Sequence, residues 1–351
     1  MSNPPDRRRA GSAWAGLARI VLRYGAMTLL ALLLFGVILL ISGKDPLQSY
    51  RDIFVSTLGS TYGFSEVVVA MTPLLLTALA VALPSRIGLI NIGGEGQLYM
   101  GACAATWVAL TFGSLPGWIL LPIMVLAGML GGAAWAWIPG MLRARGIVNE
   151  TISTLLLNSV APMIVSFFVF GYWHSPMDTN KTPNFSPSAR LPTLFDTRVD
   201  LGLVLGLGLL VLFWFVMRFT RWGLEMRTLG GNPQAARLNG IPTRRYIIGV
   251  MCLAGAVAGL AGMAQVSGYY GVLLANFSRG IGFMGFLVSW LAGGSPMGIV
   301  VTSFIVAIIL TGGNLLQLTR DLPYSMVNIL LAMTLFVVLA RPSFIRKRNA
   351  S

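Results

Sequence analysis

The chain has 351 residues, of which 56% are hydrophobic and only 10% charged, and its formal net charge is +14. A soluble domain carries roughly 25% charged residues, so the composition excludes an ordinary water-soluble globule and predicts an all-α, polytopic membrane protein. Two cysteines, Cys103 and Cys252, both in apolar stretches, and one histidine, His174, leave no disulfide framework and no metal-ligand cluster.

Residues 1–23 form a basic leading segment with Arg7, Arg8, Arg9, Arg19 and Arg23. The apolar run behind it is too long for a signal-peptide core and has no small-residue cleavage site, so it reads as a retained first span at 24–41. A polar loop is expected at 42–66, and a second span, containing Pro73, at 67–83. The stretch 84–102, PSRIGLINIGGEGQLYMGA, is too rich in glycine to be helical throughout. Spans three to five are expected at 98–112, 118–138 and 151–172, with a short basic loop at 143–150. A long proline-rich loop at 173–200 leads to span six at 201–217. Next comes a polar, basic island at 218–245, then spans seven to nine at 246–263, 283–292 and 299–311. Span ten, at 324–340, completes a membrane domain over 24–341, and the basic tail 342–351 follows. Ten spans is the number suggested by a crossing length of about 20 residues, although several are shorter.

Charge placement tests this count. With the N-terminus inside and loops assigned alternately, 18 of the 25 basic residues and four of the 11 acidic ones fall on the cytoplasmic side. The whole excess of +14 therefore lies there, as the positive-inside rule expects, and both termini are cytoplasmic. Anionic lipid accounts for the basicity, and no nucleic-acid partner is implied. Each set of five spans contains a glycine-rich interruption, at Gly93-Gly94 and at Gly293-Gly294. Five is odd, so the halves are expected to form an inverted repeat of five plus five.

No catalytic constellation is visible. The chain has no G-x-x-x-x-G-K-[ST], H-E-x-x-H or G-x-S-x-G motif, so an enzyme is not expected. Three polar features stand out instead. The first is Asn91, Glu95 and Gln97 in NIGGEGQ, read either as a substrate path beside a broken helix or as a solvated cytoplasmic turn. The second is Asn149-Glu150, which suits a helix cap, followed two turns later by Asn158, which must face protein or a wet cavity. Gln265, Asn314, Gln317 and Asn328 are weaker candidates of the same kind, equally suited to gluing helices together. The third is the island's own small helix. Asn232 suits an N-cap, Pro233 the first helical position and Gly240 the left-handed stop. About two turns, 234–239, are marginal alone in water and need a partner to hold them. The glycine pairs Gly128/Gly132, Gly202/Gly206 and Gly255/Gly259 read as close helix crossings.

With GLINIGGEGQLYMGA, NETISTLLLN, LGGNPQAARLNGI and GFMGFLVSWLAGGSPMG in order, the chain resembles the permease subunits of binding-protein-dependent ABC importers for simple sugars, branched-chain amino acids and nucleosides. NIGGEGQ and TLLLN look most like the nucleoside branch, whereas the bulky Trp290 departs from the usual small-apolar run. The resemblance implies that Asn232, Pro233, Gln234, Ala235, Ala236, Arg237 and Gly240 form the coupling helix that docks on a cytoplasmic ABC ATPase. It also implies a second permease chain, identical or different, and an extracytoplasmic substrate-binding protein. ATP and Mg would be bound by the partner subunits, with no cofactor in this chain, in a bacterial plasma membrane. The expected substrate-path residues are Asn91, Glu95, Gln97, Asn158, Gln265 and Asn314. Alternatives are a sugar or branched-chain amino acid permease of the same group and, from a different class, a stand-alone secondary transporter or channel. A membrane scaffold is a third, opposed by the polar residues within the spans.

Overall fold

The computed structural model describes residues 33–320 apart from 42, 177, 179, 195 and 196, together with 329 and 332. Among these residues the regular structure is helical, with three isolated β-bridges and no strand. The chain divides into two units, 60–308 and a smaller one made of 1–59 and 309–351.

In the smaller unit, helix α1 occupies 33–41 and α2 is Pro46–Leu58. Phe35 and Leu39 are buried, with Tyr50, Ile53 and Ile309 packed against them. The sequence reading expected a loop at 42–66, and this is corrected by α2 and by the start of the next helix at Thr61. Asp45 accepts from the N–H groups of Leu47 and Gln48, and Pro46 takes the first helical position, so capping rather than hydropathy starts α2. The leading segment 1–23, the first half of span one, Asn328, nearly all of span ten and the tail 342–351 lie outside the described residues.

The larger unit contains α3 (Thr61–Ser85), α4 (Gly94–Thr111), α5 (Gly117–Ala144), α6 (Glu150–Phe170), α7 (Leu201–Phe219), α8 (Arg221–Gly231) and α9 (Pro233–Leu238). It continues with α10 (Thr243–Ala264), a π-turn (Gln265–Tyr270), α11 (Ile281–Leu291) and the first part of α12 (Pro296–Arg320). Among the described residues six helices are long and apolar enough to cross a membrane: α3, α5, α6, α7, α10 with its π-turn, and α12. Helix α11 is apolar but short. Helix α8 was not expected. Thr220 caps it through the N–H of Gly223, and a cap inside a basic island is easy to miss when apolar runs are being sought.

Helices α3 and α10 lie deepest. From Val67 onward helix α3 is apolar nearly all round, as a deeply surrounded helix must be. The close approach of α10 to α4 and α5 depends on glycine. A Cβ on Gly132 would run into the carbonyl of Gly255, one on Gly259 into the carbonyl of Gly128, and one on Gly262 into the carbonyl of Leu98. Two of the expected glycine pairs thus pack against each other, while Gly202 and Gly206 seat α7 on Thr72, Leu75 and Leu76 of α3.

Two breaks organise the unit. Segment 86–93 separates α3 from α4, and segment 271–280 separates the π-turn from α11. They meet inside the protein, because a Cβ on Gly282 would strike the backbone of Gly94 and Glu95. The glycine-rich interruption expected at Gly293-Gly294 is a left-handed turn, φ +59° and +66°, between α11 and α12, and the break at 271–280 is a further one.

Candidate functional site

Helix α9 has the punctuation its sequence predicts. Asn232 Oδ1 accepts from the N–H groups of Gln234 at 3.1 Å and Ala235 at 3.0 Å. Gly240 takes φ +76°, and Ile241 N–H returns to the carbonyl of Ala236 at 3.0 Å. Ala236 is buried against the chain's own surface. Pro233, Gln234 and Arg237 are exposed, and Leu238 is 89% exposed. The helix is six residues long, a length that is marginal by itself in water.

The peg has a route into the bundle. Helix α8 packs on α9, and Gly230 at its end lies so close to the carbonyl of Arg86 that no side chain fits between. The Arg86 guanidinium donates to the carbonyl of Gly294 at 2.6 Å, joining the end of α3 to the turn after α11. Glu225 of α8 accepts from the hydroxyl of Tyr246 on α10. Sequence reasoning missed Arg86, Gly230 and Tyr246. The one local clue was an arginine directly after a helix-ending Pro84-Ser85.

The NIGGEGQ residues are not solvated. Asn91 is 0%, Gln97 1%, Asn158 4% and Glu95 5% exposed, which overturns the alternative of a cytoplasmic turn with Glu95 in water. Asn91 and Gln97 exchange side-chain hydrogen bonds, Nδ2 to Oε1 at 3.1 Å and Nε2 to Oδ1 at 3.0 Å. Asn91 Oδ1 also takes the N–H of Gly93 at 2.9 Å. Asn158 reaches across from α6, donating to the carbonyl of Ile92 and accepting from the N–H of Gly96, both at 2.8 Å. These amides supply the partners that a helix break in a dry interior would otherwise lack. Asn149 caps α6 through Thr151 N–H at 2.8 Å. Glu150 accepts from Ile90 N–H at 3.3 Å and meets Arg143 Nε at 3.0 Å, an ion pair rather than an aligned hydrogen bond.

Glu95 joins the two breaks. It lies in the first turn of α4, yet its carboxylate accepts from Gly280 N–H at 3.1 Å and Gly282 N–H at 2.7 Å, at the start of α11. One carboxylate thus faces the positive ends of two helices. Nearby, Tyr99 Oη donates to Asn276 Oδ1 at 3.1 Å, and its ring meets Phe277 edge-on at 4.8 Å. Gln265 is buried at the start of the π-turn, and Asn314 is exposed and belongs to the other unit. Gln265 makes no hydrogen bond to the cluster. A separate cavity of about 590 Å³, lined by Met100, Cys103, Trp107, Trp135, Phe168 and Trp173 among others, is apolar and offers no converging polar groups. Among the described residues no group of acids, histidines and cysteines is arranged to hold a metal.

Residues 63–339 match the family model described as the permease component of the branched-chain amino acid transport system. Among characterised proteins, the chain is 36% identical to a glucose ABC transporter permease of Haloferax volcanii, over 98% of this chain and 92% of that one. It is 33% identical to a nucleoside ABC transporter permease of Lactococcus lactis, over 87% of each chain. It is 32% identical to a guanosine ABC transporter permease of Bacillus subtilis, over 86% of this chain and 88% of that one. A broken, amide-stitched helical core that carries an exposed, capped peg is thus the form taken here by a member of the family of branched-chain amino acid transport system permease components, to which this chain belongs.

Proposed function

We propose that the chain is the membrane permease of an ABC importer that moves a nucleoside inward on ATP hydrolysis in partner subunits. The observation that carries this is α9, a capped two-turn helix, exposed except at Ala235 and Ala236, that ends in a bare Leu238. Such a helix is built to be gripped. Arg237, Arg244 and Arg245 around it suit an acidic-rimmed cleft on an ATPase, which also holds the ATP and Mg. Movement of α9 passes through α8 to Gly230 and Arg86, and on to the α11–α12 turn at Gly294. A second permease chain and an external binding protein complete the assembly, with both termini cytoplasmic in the plasma membrane. The fold is ten spans in two inverted halves, and α3–break–α4 and α10–break–α11 are the corresponding pieces.

Asn91, Glu95, Gln97 and Asn158 shape the wall of the path rather than touch the solute, because their hydrogen bonds are made within the chain. Gln265, buried at the start of the π-turn in the same unit, contributes to it further along. The nucleoside assignment is supported by the nucleoside and guanosine permeases among the relatives. A glucose permease at 36% identity favours a sugar as the second reading.

The test replaces Pro233-Gln234-Ala235-Ala236 by a glycine-serine run in the assembled transporter. Solute-stimulated ATP hydrolysis should be abolished while the chain still inserts, and unchanged coupled hydrolysis refutes the assignment. Uptake of guanosine, adenosine, glucose and leucine by the unaltered transporter separates the solute classes.

A further inference from the structure

The break at 271–280 carries a charge at an unexpected depth. Gly285 of α11 packs on Thr77 of α3, eight residues before the end of that helix, or about 12 Å at 1.5 Å per residue. Arg279 lies six residues further along, roughly 20 Å from that end of a helix about 37 Å long. That level is close to Thr72 and the first turn of α7, so Arg279 lies in the outer half of a hydrocarbon layer about 30 Å thick. Arg279 is exposed, and among the described residues no carboxylate forms an ion pair with it. A bare guanidinium at that depth is costly against lipid tails and is tolerated where it faces water.

The protein also holds this residue in an unfavourable backbone shape. Arg279, at φ +48°, is the single non-glycine residue with positive φ among those described. Its neighbours fix it there, since Glu95 takes the N–H groups of Gly280 and Gly282, and Ser278 is fully buried. Strain of this kind persists where surrounding contacts impose it, and it clusters at functional positions. Below Arg279, helical spacing puts Phe283, Phe286 and Trp290 on one side of α11. Phe283 and Trp290 are exposed, and Phe286 lies against Trp290 with ring centres 5.6 Å apart. The buried residues of α11 are Gly282, Gly285, Val288 and Ser289, centred about 120° further round the helix.

We propose that this strip, Asn276, Arg279, Phe283, Phe286 and Trp290, is the solute-contacting wall of the path and recognises a purine base. The flat base stacks on the aromatic rings, and the Arg279 fork donates to two adjacent ring acceptors. An oxygen beside a ring nitrogen, as in guanine, satisfies that fork, whereas adenine presents a donor in place of the oxygen. This rests on the nucleoside reading for the identity of the ligand, but not for the presence of water at Arg279.

The experiment has two arms in the full transporter. With Cys103 and Cys252 replaced by alanine, Arg279→Cys and, as a lipid-facing control, Leu126→Cys are exposed in membranes to a cationic, membrane-impermeant thiosulfonate. Arg279→Cys should label and be slowed by guanosine, while Leu126→Cys stays unlabelled. Failure of Arg279→Cys to label from either side places the strip against lipid and overturns the proposal. In the second arm, Arg279→Gln should raise the half-saturating concentration for guanosine about tenfold or more, with a smaller effect on adenosine, and Arg279→Lys should fall between. Equal effects on both nucleosides, or none, overturn base recognition. If the unaltered transporter carries glucose and no nucleoside, the solute reading and the ligand named here fall together, and labelling still decides whether Arg279 faces the path.

Discussion

Asp200 shows how one side chain ties the region before α7 to its surroundings. It caps α7 by accepting from Gly202 N–H at 2.7 Å and lies against Gly268, where no Cβ would fit. Burial pushes its pKa up from 3.8 to about 6, with the Gly202 bond opposing part of that rise. A folded-state value above the unfolded one contributes stability that is complete below about 3.8 and is lost as pH rises through about 6. The span of that loss is on the order of 3 kcal/mol. Asp200→Asn keeps the cap and removes the titration. In detergent unfolding measurements the variant should match the native chain near pH 4 and exceed it at pH 8, and a difference independent of pH would contradict this. At the same scale, Asn91, Gln97 and Asn158 were legible in the sequence as polar residues within apolar surroundings. That they bond one another and the backbone at 2.8–3.1 Å was not, because the partner of Gly96 lies 62 residues away.

The elements that sequence places well are those with local punctuation. Helix α9 begins at a proline behind an asparagine cap and stops before a left-handed glycine, all within ten residues. The glycines of α10 are a different case, because their meaning depends on what lies opposite. Gly259 meets the carbonyl of Gly128, whereas Gly249 on the same helix has nothing within 4 Å. Gly259→Ala should therefore cut the yield of folded protein sharply, since backbone rather than a flexible side chain would have to move. Gly249→Ala should be neutral or stabilise by up to about 1 kcal/mol, the helix preference of alanine over glycine. Size-exclusion profiles and melting temperatures of the two variants check the contrast, and similar behaviour of both would refute this account of the crossing. Helix α2 was missed for the complementary reason. Its cap is clear, but its polar composition hid it from a search for apolar runs.

Across the larger unit, the two ends are chemically distinct. One gathers Arg86, Arg143, Arg145, Arg237, Arg244 and Arg245 around α9 and the start of α10. The other brings the loop at 113–117 against Ser186 and Ser188, and segment 271–275 against 180–185. If charge sets orientation, an impermeant thiol reagent added to intact cells should label Asn184→Cys but neither Arg145→Cys nor Leu238→Cys, and the reverse pattern would invert the topology. Sequence alone determined that the chain is helical and membrane-embedded, that it belongs with the permeases, and that a small capped helix interrupts it. Hydropathy, charge bias and capping are properties of neighbouring residues, so a linear reading finds them. Tertiary structure alone decided that the glycine-rich breaks at 86–93 and 271–280 meet, with Glu95 clasping the far one and Arg279 left uncovered beside it. Which buried donor finds which acceptor is fixed by the packing of α3, α4, α10 and α11 in space, and no local pattern carries that information.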